Sequence, residues 1–82
     1  MRVIATIPHP EMRISIFHLN DKYLVKFEAG PMEQTYKFSQ QETGGPDQLT
    51  AALDNTFMSN VLDRFKEMYS ALKQVKEKLN KL

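Results

Sequence analysis

The hydropathy period changes once along this chain, and that change limits what it can fold into. Residues 2–39 alternate apolar with polar side chains, the period of a half-buried strand. Residues 47–82 repeat apolar side chains at steps of three and four, the period of a helix. The joint, Gln40-Gln41-Glu42-Thr43-Gly44-Gly45-Pro46, is polar, and its Gly-Gly-Pro cannot continue a strand. Eighty-two residues leave room for one core. The reading is a single α+β domain: a sheet over 2–39, a linker over 40–46 and a helical region over 47–82.

The turns set the register of the strands. The runs Met12–Leu19 and Lys22–Ala29 are separated by Asn20-Asp21 alone, a tight hairpin. Pairing across it sets His18 against Tyr23, Ile16 against Val25 and Ile14 against Phe27 on one face. On the other face it sets Phe17 against Leu24, Ser15 against Lys26 and Arg13 against Glu28. Apolar meets apolar and a charge meets its opposite, as cross-strand energetics favour. Upstream, the prolines of Pro8-His9-Pro10 interrupt pairing, and Ile7, Ala5 and Val3 are expected opposite Met12, Ile14 and Ile16. Downstream, Gly30-Pro31 opens a turn into a fourth strand carrying Gln34, Tyr36 and Phe38. A four-residue loop is preferred there, because a two-residue loop would oppose Glu28 and Glu33. The expected fold is a four-stranded antiparallel β-meander with one long C-terminal helix packed across its apolar face (ββββα).

In the helical half, Pro46 and Asp47 suit a first turn, and Asp54-Asn55-Thr56 offers a break or a new cap. From there Met58, Val61, Phe65, Met68, Leu72, Val75, Leu79 and Leu82 form an unbroken heptad seam. Phe57, Leu62 and Tyr69 widen its first half into the broad stripe of a helix lying on a sheet. After Leu72 the flanks are Lys73, Lys76 and Lys78, and only the narrow seam stays apolar. A helix over 57–81 is about 37 Å long at 1.5 Å per residue, against roughly 26 Å for an eight-residue strand. The helix is therefore expected to overshoot the sheet, leaving Leu72, Val75, Leu79 and Leu82 as a candidate interface. A homodimer is the expected assembly; the alternatives are a tail whose last turns fray and a helix from another protein as partner. Phe17 and Leu24, with Ile4 and Leu19, form a second candidate contact on the outer sheet face.

Composition excludes several chemistries. There is no cysteine, hence no disulfide, thiolate site or cysteine nucleophile. The charge is +1, from 11 basic and 10 acidic residues, without a gross basic footprint for nucleic acid or an anionic membrane. No apolar run exceeds three residues, as at Tyr23-Leu24-Val25, so neither a membrane span nor a signal peptide is expected. His9 has no spaced ligands to join it in a metal site. The serines lack an activating His–carboxylate arrangement, and Gly44-Gly45 is too short to cradle a phosphate. No enzyme activity, cofactor or metal is expected, and the implied setting is the cytoplasm. In this register the outer face carries Arg2, Arg13, Lys26 and Lys37 around Phe17, and the alternative to assembly is single-stranded nucleic-acid binding there through Arg13, Lys26, Lys37 and Phe17. A four-stranded meander followed by one long helix also resembles the topology of Whirly and purine-rich-element-binding repeats, a likeness of topology alone.

Three stretches, Ile4-Ala5-Thr6-Ile7-Pro8-His9-Pro10, Glu33-Gln34-Thr35-Tyr36-Lys37-Phe38 and Arg64-Phe65-Lys66-Glu67-Met68-Tyr69, resemble short uncharacterised bacterial proteins of the Bacteroidetes type. The resemblance implies a bacterial protein and brings no activity, cofactor or site residue.

Overall fold

The computed structural model describes residues 2–81. Four strands, β1 (Arg2–Ile7), β2 (Arg13–Leu19), β3 (Lys22–Ala29) and β4 (Met32–Ser39), form one antiparallel sheet in the order β1-β2-β3-β4. Three helices follow: α1 (Gln40–Thr43), α2 (Pro46–Ala52) and α3 (Asn55–Asn80). This is the expected α+β meander with a long C-terminal helix.

The central hairpin has the register read from its sequence, from Arg13↔Glu28 through Leu19↔Lys22. Its turn is made by Asn20 at φ 56°, a left-handed conformation that asparagine tolerates better than most residues. The two outer pairings differ from expectation. The β3–β4 loop has two residues, Gly30 and Pro31, and Glu28 does stand opposite Glu33. Lys26 resolves the conflict: its Nζ lies 3.9 Å from Glu28 and 3.5 Å from Glu33, so the repulsion that favoured a longer loop is offset. Gly30, at φ 59°, supplies the left-handed residue that the short turn needs.

In the β1–β2 pairing, Ile7 lies opposite Ile14 and Ala5 opposite Ile16, two residues away from the expected register. The proline-stiffened connection takes up residues 8–12, and Glu11 N–H donates to His9 Nδ1 at 3.1 Å within it. Met12, released from strand pairing, tucks into the core instead. A bulge at Ile4 then reverses the parity, so that Val3 pairs with Phe17 and Arg2 with His18. Val3, expected in the core, is instead 53% exposed on the outer face. Arg2, expected on the outer face, aligns with the inner-face row of His18.

The core lies between the sheet's inner face and the helices. Ile14, Ile16, Val25 and Phe27 meet Val61, Phe65, Met58, Leu49 and Leu53 there. Phe57 locks the start of α3 to the sheet, its ring centroid 5.8 Å from Phe27 and 5.4 Å from Tyr36. Beside this cluster Gln34 Nε2 donates to the Val61 carbonyl at 3.0 Å, and the Tyr36 hydroxyl donates to Gln34 Oε1 at 2.7 Å.

The polar stretch expected as a linker is partly helical. Ser39 and Glu42 form a reciprocal capping box around α1, and Gln40 N–H donates to the Asp21 carbonyl at 2.7 Å. Gly44 ends α1 in the left-handed conformation at φ 74°. Leu53 and Asp54 then separate α2 from α3, as the Asp54-Asn55-Thr56 signal suggests. Asp54 caps α3 by accepting from the Phe57 N–H at 2.9 Å.

Candidate interaction surfaces

The first surface is the distal half of α3. The helix has 26 residues, about 39 Å at 1.5 Å per residue, and gives the molecule its longest extent of 50 Å. Its buried residues stop at Phe65. Met68 and Leu72 are half-buried, while Tyr69, Val75 and Leu79 are 54%, 51% and 59% exposed. Tyr69 does not widen the stripe against the sheet as its spacing suggests, for the overshoot begins before it. Leu82, the last seam residue, lies outside the described residues. The seam thus continues past the sheet as a stripe one side chain wide, flanked by Lys73, Lys76 and Lys78. A free helix gains nothing from that spacing; a second helix laid along it would bury the stripe.

The second surface is the outer face of the sheet, which none of the described helices covers. Its side chains stand in rows across the strands. Val3, Phe17, Leu24 and Lys37 form one row, and Thr6, Ser15, Lys26 and Thr35 form the next. Beyond them lie Arg13, Glu28 and Glu33. Phe17 and Leu24 are half-buried and adjoin a groove lined also by Lys26, Glu33 and Thr35. The bulge adds Val3 to this apolar row, a member that strict alternation misses because no glycine or proline marks Ile4. Ile4 and Leu19, 37% and 40% exposed, lie at the margins.

The four residues expected to hold a nucleic-acid strand do share this face, but the charge of Lys26 is not free. Lys26 is engaged by Glu28 and Glu33. Arg13 and Lys37 stand on opposite sides of it, each exposed. The result is a mixed-charge surface around an apolar row, not a continuous basic groove.

His18 packs its ring against Tyr23 at a centroid distance of 5.1 Å on the inner face. Its Nε2 is buried and has no hydrogen-bond partner among the described residues. His9 spends its Nδ1 on the backbone of its own loop. Among the described residues no three histidine, aspartate or glutamate side chains converge as metal ligands, and no helix is long and apolar enough to cross a membrane. Compared with protein-family models, curated proteins and solved structures, the chain matches none.

Proposed function

We propose that this chain is a non-enzymatic assembly module that self-associates through the distal seam of α3. One observation carries the reading: a regular heptad stripe continues through Leu72, Val75 and Leu79 after the sheet has ended, with Val75 and Leu79 more than half exposed. Burying such side chains stabilises an assembly by on the order of 2 kcal/mol each. An 82-residue domain has a limited core of its own, so association adds a meaningful share of stability.

The pairing is antiparallel: over Met58, Val61 and Phe65 the same seam faces the sheet, so parallel tails would drive both sheets into one space, whereas antiparallel tails keep them at opposite ends. Two-fold dimers are also the commonest closed assembly.

The test is solution mass by light scattering. The wild-type chain is expected at about 19 kDa or more, twice the 9.5 kDa of one chain. Replacing both Val75→Lys and Leu79→Lys should lower the mass at the same concentration while circular dichroism stays close to wild type, since both positions lie outside the core. An unchanged mass would overturn the helix-seam reading.

A further inference from the structure

We infer that the outer sheet face is a second, weaker self-association surface, on which another copy packs face to face with its strands running in line. The inference does not rest on the helix seam. It comes from the symmetry of the side-chain rows. Consider a two-fold axis parallel to the strands, lying above the line between β2 and β3. It carries each β2 residue onto the β3 residue directly opposite it, in the second copy. Phe17 then meets Leu24 of the second copy, and Leu24 meets its Phe17, because the two are cross-strand neighbours. Ser15, a small side chain, stands opposite Lys26 of the second copy. In the last row Arg13 meets Glu28 of the second copy, and Glu28 meets its Arg13.

One operation thus puts apolar on apolar and opposite charges together, twice over. Arg13 is available for that role, for among the described residues no carboxylate lies within ion-pair distance of it. Val3, brought to this face by the bulge at Ile4, meets the aliphatic stem of Lys37 of the second copy at the edge of the row. Four strands of six to eight residues present a face of about 19 Å by at most about 26 Å. Two such faces enclose roughly 1,000 Å², the lower bound for a specific protein contact. The pairing is therefore weak on its own, and aligned packing of two twisted sheets tilts them by about 30°.

The experiment uses the full chain carrying Val75→Lys and Leu79→Lys, so that the helix seam is out of play. Its mass should rise from one chain toward two across a hundredfold range of concentration. Adding Arg13→Glu, or separately Glu28→Arg, should weaken that dimer at least tenfold, because each variant sets like charges together across the axis. Mixing the two variants in equal amounts should restore association as a heterodimer. In the mixture the Arg13→Glu chain presents a carboxylate at both positions and the Glu28→Arg chain a guanidinium at both, so every contact across the axis is again opposite in sign. Loss of the Arg13–Glu28 cross-strand contact within each chain cannot produce that rescue. Should either charge variant fold poorly, Leu24→Lys supplies the second arm and is expected to give a monomer. A tail variant that stays monomeric throughout, or charge variants that do not rescue each other, would overturn the inference.

Discussion

Lys26 sits between two carboxylates on the outer face of the sheet, and its position decides a register. The direct opposition of Glu28 and Glu33 argues for a longer β3–β4 loop only if each strand pair is weighed alone. On a strand, residues two apart share a face, and Lys26 reaches Glu28 along its own strand and Glu33 diagonally across to the next. A third charge therefore converts a repulsive pair into a bridged one. Lys26→Met should expose that repulsion. These groups are partly solvated, so the expected loss in urea unfolding is at most about 1 kcal/mol at low salt. It should shrink in 1 M salt, where the screening length falls to about 3 Å. Equal stability of variant and wild type at low salt would show that the lysine does not stabilise this register. The displacement of Val3 has a different cause. Val3, Ile4 and Ala5 are all apolar, so their alternation is silent about which faces inward, and the bulge uses that silence.

At the scale of elements, the legible parts are those where two signals coincide. The β2–β3 hairpin combines a two-residue turn with matched faces, and its register follows without error. The α2–α3 break combines a lapse in the apolar pattern with a good capping residue. The α1 turn is written in the chain as well, because Ser39 and Glu42 have capping-box spacing. That signal is easily lost in a stretch of polar residues with no apolar stripe of its own; α1 buries none of its residues. The β1–β2 register is not legible, because a proline-rich connection fixes no pairing and parity alone admits several offsets. Capping gives a direct test of element boundaries. Asp54→Ala removes the acceptor of the Phe57 N–H and should cost about 1 kcal/mol in thermal or urea unfolding, whereas Asp54→Asn should keep most of the cap. If the alanine variant melts with wild type, α3 is not held at this residue. The consequence would reach the core, since Phe57, whose N–H is capped, also packs on Phe27 and Tyr36.

At the scale of the whole molecule, both candidate surfaces follow from one imbalance: a helix about 39 Å long serves a sheet about 26 Å long, and serves it on one face only. The helix end is legible in the heptad spacing, since length arithmetic alone places Val75 and Leu79 beyond the strands. Half of the outer patch is legible too, as Phe17 and Leu24 follow from the hairpin, while Val3 requires the bulge. The two surfaces are separate parts of the chain, a helix tail and the sheet face away from the helix, so occupying one leaves the other open. Copies joined through both contacts cannot stop at two unless the same pair of chains satisfies both axes. An antiparallel pair of tails and a face-to-face pair of sheets demand different axes, because α3 lies on the inner face and the sheet contact on the outer. The weight-average mass of the wild-type chain should therefore pass through a dimer at low concentration and rise beyond it as concentration increases, the stronger helix contact filling first. The Val75→Lys, Leu79→Lys chain should show only the later, weaker step, from one chain to two. A wild-type mass that levels at two chains while the tail variant stays at one would leave the helix seam as the whole assembly. A mass that levels at two in both would place the contact on the sheet.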